Sequence, residues 1–165
     1  MPKQHLKIIG INPGTRYLGI AVFQGPELLD WRIKVLKGKW SKEKMKRAIE
    51  IISEFIDRYE PNVLAIKKLH PSRRSQNLSR LAYKIKEYSK RKRLKVYQYS
   101  IKDLESFFIR EDKLNKKNLT RIIVSEYPFL FHEFQKEKIH RNPYYARMFE
   151  AVALASICFH QLDNH

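Results

Sequence analysis

Two short apolar runs near the start of the chain set the pattern for the sequence that follows. Residues 8–11 and 18–23 are rich in Ile and Val, and a Pro-Gly turn separates them. Apolar runs this short, bounded by Pro and Gly, are typical of strands rather than of helices. They predict a hairpin in which Asn12 is the polar residue at the end of a buried strand.

Polarity then alternates within residues 28–36. Trp31, Ile33 and Val35 fall on one face, and Arg32 and Lys34 fall on the other. Strict alternation is the pattern of a strand with one covered face and one face in water. This stretch therefore predicts a third strand.

A helical period follows between Met45 and Tyr59, where apolar residues recur every three or four positions. Ser41 is suited to cap this helix and Pro61 to close it. Residues 63–66 are apolar at every position, as in a central strand that is covered on both faces. The remaining predicted elements are a helix around 78–85, a strand at 94–99, short helices at 101–109 and 119–127, an irregular stretch at 129–143 and an apolar helix at 146–159.

These elements, in this order, predict a single α/β domain over residues 1–165. Three strands come first, and helices then alternate with two further strands before the terminal helices. Such an order predicts a mixed five-stranded sheet with helices on both faces. No internal repeat, low-complexity segment or domain boundary interrupts the chain.

The balance of charges indicates a polyanionic partner. Lys plus Arg number 34 and Asp plus Glu number 17, which gives the 165-residue chain a formal net charge of +17. Because an excess of this size opposes compaction, nucleic acid, either DNA or RNA, is the expected partner. An acidic membrane surface and a merely soluble basic protein are the alternatives.

Other features of the sequence narrow the class of protein. No apolar run is long enough to span a bilayer, and the N-terminus has no signal-peptide core. These two features predict a cytoplasmic protein with no membrane partner. The one cysteine, Cys158, allows neither a disulfide nor a cysteine-rich metal site.

The opening stretch, KIIGINPGTRYLGIAVF at residues 7–23, resembles the first motif of the RuvC-type Holliday-junction resolvases and their ribonuclease H-like relatives. Its glycines, Pro13, Thr15 and Arg16 fit that motif, whereas Asn12 stands where the family has a catalytic aspartate. The resemblance implies a ribonuclease H-like fold, with three antiparallel strands followed by parallel ones. Three later segments resemble further family motifs in the correct order: PNVLAIKKL at 61–69, YSIK at 99–102 and RMFEAVALA at 147–155.

Members of that family cut phosphodiesters with two divalent metals, which a cluster of carboxylates holds. The resemblance maps the four ligand positions onto Asn12, Lys67, Arg147 and Glu150. Only Glu150 is a carboxylate, and neither Lys nor Arg offers a lone pair near neutral pH. The resemblance therefore implies a degenerate site that has no catalytic residue and holds no metal or cofactor. Mg²⁺ is expected only if the protein is an active nuclease. We expect Lys67 and Glu150 to form an ion pair instead. Asn12 is expected to form a hydrogen bond with one of the two, and Arg147 to be able to compete for Glu150.

Two classes of function follow from the resemblance. The first is a non-catalytic protein that binds branched or structured DNA or RNA, with a homodimer left open. The alternative is an active metal-dependent, structure-specific endonuclease, either resolvase-like or RNA-processing, that uses Glu150 with unusual partners. A third class, the actin-like ATPases and sugar kinases, shares the Gly-Thr-x-x-x-Gly pattern but needs two such domains around a nucleotide.

Lys and Arg side chains neutralise phosphates, so basic residues in predicted loops and helix ends are candidate nucleic-acid contacts. The resemblance adds Arg16 of the first motif, Lys102, where the family often has a lysine, and Lys116 and Lys117, which fall near another basic position of the family. The residues at 90–93 have a second interpretation, as solvated cations that interact favourably with the negative end of a helix dipole. The candidates are Arg16, Arg73, Arg74, Lys90, Arg91, Lys92, Arg93, Lys102, Lys116 and Lys117.

Overall fold

A mixed five-stranded sheet forms the centre of the molecule. The computed structural model describes residues 6–73, 75–108, 116–140 and 144–163, and the side chains at 73, 116–118, 136–140 and 144 lie outside that description. The strands are β1 (Lys7–Asn12), β2 (Tyr17–Gln24), β3 (Glu27–Val35), β4 (Val63–Lys67) and β5 (Lys95–Tyr99). They lie in the order β3-β2-β1-β4-β5, antiparallel from β3 to β1 and parallel from β1 to β5. The predicted mixed sheet is confirmed.

Helices cover both faces of this sheet. Ser41 caps the first of them, since its side chain accepts a hydrogen bond from the backbone N–H of Lys44, as the sequence predicts. Within the described residues the helices are α1 (Lys42–Tyr59), α2 (Gln76–Arg91), α3 (Ile101–Phe108), α4 (Lys116–Glu126), α5 (Phe131–His140) and α6 (Tyr144–Asp163), with short 3₁₀ turns at Pro71–Arg73 and Pro128–Leu130.

Residues 129–143 are helical over most of their described part, so the prediction of an irregular stretch is wrong. Pro128 starts a 3₁₀ turn, and α5 follows it directly. Proline is tolerated in a first helical turn because the N–H that it lacks has no partner there. Leu130 is fully buried, and Phe134 packs against the α6 core. This tertiary burial, rather than local periodicity, specifies the helix.

Alternate residues of β1 face opposite sides of the sheet. Ile9 and Ile11 pack with α1 and α2, whereas Ile8 packs with α6. All three isoleucines are fully buried, so both layers are closed. Residues 63–66 of β4 are also all buried, which confirms that this strand is covered on both faces.

Small residues let α6 lie directly across β1 and β2. A Cβ atom at Gly10 would overlap the carbonyl oxygen of Ala151, and one at Gly19 would overlap that of Arg147. Every residue of α6 from 148 to 159 is buried, which explains an apolar helix without a polar stripe. In the part of the chain that the structure describes, no helix is both long enough and apolar enough to cross a membrane.

Candidate functional site

Two neighbouring strands end in polar residues at the same edge of the sheet. β1 and β4 are parallel, and Ile11 pairs with Ile66, so the next residues, Asn12 and Lys67, lie side by side. The carboxyl ends of parallel strands are where α/β sheets commonly bind ligands. We call this edge, at which β1, β4 and β5 end, the site edge.

Glu150 of α6 reaches both of these residues. Its Oε2 atom accepts a hydrogen bond from Asn12 Nδ2 at 2.8 Å and lies 2.8 Å from Lys67 Nζ. The Glu150 side chain is 5% exposed and the Lys67 side chain is 24% exposed. A buried carboxylate needs such partners, because an unpaired charge removed from water is strongly destabilising. The predicted ion pair and the predicted Asn12 hydrogen bond are both confirmed, and we call these three residues the Asn12–Lys67–Glu150 cluster.

The amide of Asn12 acts in this cluster as a donor. Asn12 is 2% exposed, and its Nδ2 also lies 3.4 Å from the carbonyl oxygen of Arg147. Both contacts use the nitrogen, and the Oδ1 atom is buried with no hydrogen-bond partner among the described residues. Asn12 therefore stabilises the Glu150 carboxylate through a hydrogen bond, and its own carbonyl oxygen stays unused by the described residues.

Arg147 lies one helical turn before Glu150 but is directed elsewhere. Its Nη1 is 3.5 Å from the carbonyl oxygen of Pro13. A Cβ atom at Gly14 would come within 2.7 Å of the same nitrogen. The guanidinium thus covers the turn between β1 and β2, where Gly14 leaves room for it. In the structure Arg147 does not compete with Lys67 for Glu150, because its side chain contacts the turn between β1 and β2 instead.

The donors at the cluster do not fit a two-metal site. Two divalent cations need several anionic oxygen ligands, and Glu150 is the one carboxylate among the four mapped positions. Its Oε2 is already bound to the Lys67 ammonium, whose positive charge repels a metal ion placed beside it. Among the described residues, no three His, Cys, Asp or Glu side chains come together in a group that could hold a metal.

Some of the candidate nucleic-acid contacts lie at the site edge. Arg16 is exposed in the turn that follows β1, and Lys102 is exposed just after β5. Arg73 ends the 3₁₀ turn that follows β4. Arg74 lies outside the described residues. Three of the predicted contacts are thus brought to one edge of the sheet by strands that end there.

The basic residues at 90–93 lie at the opposite edge. They stand between the end of α2 and the start of β5, and β5 runs parallel to β4, so they precede its amino end. All four are exposed, and Lys92 Nζ lies 5.8 Å from the centroid of the Tyr88 ring. This position favours the interpretation as cations at a helix C-terminus. Lys116 and Lys117 begin α4, but their side chains lie outside the description.

Several basic or aromatic residues that are not among the predicted nucleic-acid contacts also lie near the site edge. Lys68 directly follows Lys67 and is exposed. Lys37, Trp40 and Lys44 line a cavity of about 480 Å³ together with Arg16. The stretch KGKW at 37–40 carries a basic and aromatic signal, but so short a pattern is common on protein surfaces. Only the folded chain shows that it faces Arg16.

The comparisons with known proteins agree with this architecture. Residues 8–124 match the family described as Crossover junction endodeoxyribonuclease RuvC. T. thermophilus RuvC in complex with Holliday junction substrate is similar with a TM-score of 0.72 and 15% identity, over 96% of this chain and 96% of that one. A second Thermus thermophilus RuvC structure gives a TM-score of 0.71 and 14% identity, over 96% and 97%. No curated protein sequence matches the chain.

The family match and the structural comparison identify the same family. The match covers residues 8–124 of a chain of 165 residues. Both RuvC structures align with almost the whole chain, which confirms the ribonuclease H-like fold. The chain belongs to the RuvC family.

Proposed function

We propose that this chain is a nucleic-acid-binding member of the RuvC family that has lost metal-dependent cleavage. The observation that carries the proposal is the Lys67–Glu150 ion pair, with an N–O distance of 2.8 Å. In this pair an ammonium neutralises the carboxylate, a role that divalent metals have where several carboxylates converge. The cluster then serves to hold β1, β4 and α6 together at the site edge.

The charge of the protein supports nucleic acid as its partner. The formal net charge is +17, and Arg16, Lys68 and Lys102 are exposed at the site edge. The similar T. thermophilus RuvC forms a complex with a Holliday junction substrate, so branched DNA is the first candidate. Structured RNA is the competing ligand that the experiment must include.

A binding panel tests the first half of the proposal. Labelled four-way junction, linear duplex, single-stranded DNA and structured RNA are titrated with the full chain in the absence of divalent metal. We expect the tightest binding to the junction, with an affinity that falls steeply as salt rises, because neutralised phosphates release counterions. Absence of binding to all four ligands at low salt would contradict the proposal.

A cleavage assay tests the second half. The same junction is incubated with the protein and Mg²⁺ or Mn²⁺, with T. thermophilus RuvC as the positive control. We expect no product above the buffer control, because the four mapped positions supply a single carboxylate.

An active endonuclease is the second candidate, because Asn12 Oδ1 is a buried oxygen that no hydrogen bond from the described part of the chain uses. Cleavage that disappears in both Glu150→Ala and Glu150→Gln would establish that candidate instead. The Glu150→Gln variant keeps the side-chain volume, so it separates loss of the charge from loss of packing.

Metal binding is measured independently of activity. Millimolar Mg²⁺ should leave the Tm of the wild-type protein unchanged, because a ligand raises Tm only if it binds the folded state. The variant Asn12→Asp, Lys67→Glu and Arg147→Asp restores three acidic side chains, and Mg²⁺ should raise its Tm. A rise of similar size in the wild-type protein would show that the cluster already binds the metal.

A further inference from the structure

A basic and aromatic cavity lies at the site edge, where β2 begins and β3 ends. Its volume is about 480 Å³, within the range of roughly 300–1,000 Å³ that is typical of small-ligand sites. The turn that follows Asn12 forms one wall, and the segment between β3 and α1 forms the other. A hydrogen bond of 2.8 Å from the Leu36 N–H to the Arg16 carbonyl oxygen joins the two walls.

Cations line this cavity, and none of the described residues that line it is acidic. The Lys44 Nζ donates a hydrogen bond to the Gly38 carbonyl oxygen at 2.6 Å and lies 5.9 Å from the centroid of the Trp40 ring. A cation held in this way is placed before a ligand arrives, which lowers the entropy lost on binding. The lining cations are Arg16, Lys37 and Lys44.

The same cavity presents aromatic and apolar surface. Trp40 and Tyr17 are half-buried, and Val35 is 44% exposed. The guanidinium carbon of Arg16 lies 5.5 Å from the centroid of the Tyr17 ring. Aromatic faces next to cations are the chemistry that binds unpaired nucleotides, since bases stack on the rings and phosphates pair with the charges.

We propose that this cavity binds one unpaired nucleotide of the nucleic acid, with its base against Trp40 and its phosphates near Arg16, Lys37 and Lys44. The inference rests on the proposed function and deepens it. A duplex keeps its bases paired and stacked, so it has no free base to offer to Trp40. A single-stranded segment next to a junction has one, and the protein should therefore prefer a branched ligand that carries such a segment.

Two junctions test this preference, one with a single-stranded oligo-dT extension on one arm and one without it. In the full chain, Trp40→Ala should weaken binding to the extended junction by about 5- to 100-fold, the range expected for the loss of one stacked base. Trp40→Phe keeps an aromatic face and should retain most of the affinity. Neither variant should change binding to the plain junction. Equal losses on both junctions, or no loss on the extended one, would overturn the inference.

A pair of lysines in one loop provides a matched charge control. Lys37 and Lys39 are both exposed on either side of Gly38, but only Lys37 lines the cavity. Lys37→Gln should flatten the salt dependence of binding to the extended junction by about one unit of slope, and Lys39→Gln should not. Equal effects of the two substitutions would contradict a contact inside the cavity.

Fluorescence of Trp40 provides a measurement that does not depend on the folding of a Trp40 variant. The chain has two Trp, so Trp31→Phe leaves Trp40 as the sole indole. Binding of the extended junction should quench its emission, since a stacked base quenches indole. Binding seen by anisotropy without quenching would overturn this inference while the proposed function stands. If the wild-type protein binds neither junction, the proposed function fails and the inference fails with it.

Discussion

The two charges of the cluster differ in their access to water, and this difference governs the cost of removing either one. Glu150 is 5% exposed and Lys67 is 24% exposed. Lys67→Met leaves a buried carboxylate without its cation, and we expect the free energy of unfolding to fall by about 3–5 kcal/mol. Glu150→Gln leaves an ammonium that water still reaches, and we expect a loss of about 1–3 kcal/mol. Urea unfolding at neutral pH measures both losses.

The double variant separates a direct pair from two independent effects. Lys67→Met with Glu150→Gln leaves neither charge unpaired, so its cost should be smaller than the sum of the single costs by about 1–3 kcal/mol. Arg47 and Glu50 serve as the comparison, because their side chains are 59% and 50% exposed at an N–O distance of 3.7 Å. Their coupling should be about 0.5 kcal/mol or less. Additive costs at Lys67 and Glu150 would contradict a direct interaction.

At the scale of secondary-structure elements, the packing of α6 on β1 depends on the absence of a side chain at Gly10. A Cβ atom there would overlap the Ala151 carbonyl oxygen, which is backbone and cannot rotate away. Gly10→Ala should therefore lower stability by about 1–3 kcal/mol or more. Gly38→Ala is the matched comparison, because its φ is +87° but no described atom lies within 4 Å of the added carbon. It should cost about 1 kcal/mol, for the backbone conformation alone. Thermal or urea unfolding compares the two variants.

The thiol of Cys158 reports whether α6 stays packed on the sheet. Burial raises the pKa of Cys158 to about 11, so the folded protein at pH 8 holds the neutral thiol, whereas the thiolate is the reactive form. A disulfide reagent such as DTNB should react slowly with the native protein. In urea the pKa returns to about 8.5, and the single thiol should react quickly. Fast reaction of the native protein would show that α6 separates from the sheet easily.

At the scale of the whole molecule, two sets of exposed candidate contacts lie at opposite edges of the sheet, and only one of these edges carries the cluster. Arg16→Gln, Lys68→Gln and Lys102→Gln together should flatten the salt dependence of nucleic-acid binding by up to about one unit of slope for each phosphate that is no longer neutralised. Glutamine at all four positions from 90 to 93 removes more charge but at the opposite edge, so the slope should stay the same. A larger change in the second variant would show that the nucleic acid crosses that edge instead.

The local pattern of the sequence by itself determined most of the secondary structure. Alternation and three-four spacing are properties of neighbouring residues, so β1 to β4 and α1 follow from them. The Lys67–Glu150 pair also follows from sequence, because motifs at the ends of β4 and near the start of α6 converge once the family resemblance is accepted. A buried glutamate needs a cation, and Lys67 is the one that those motifs bring to it.

The tertiary structure alone decided the features that depend on distant residues. α5 is helical because Leu130, directly before it, is buried and Phe134 packs against the core that contains α6. Arg147 turns to the Pro13 carbonyl 134 positions away. Sheet topology placed residues 90–93 opposite the cluster and brought KGKW at 37–40 beside Arg16. None of these contacts leaves a periodic signal, because periodicity records which side of an element is buried and not which partner lies there.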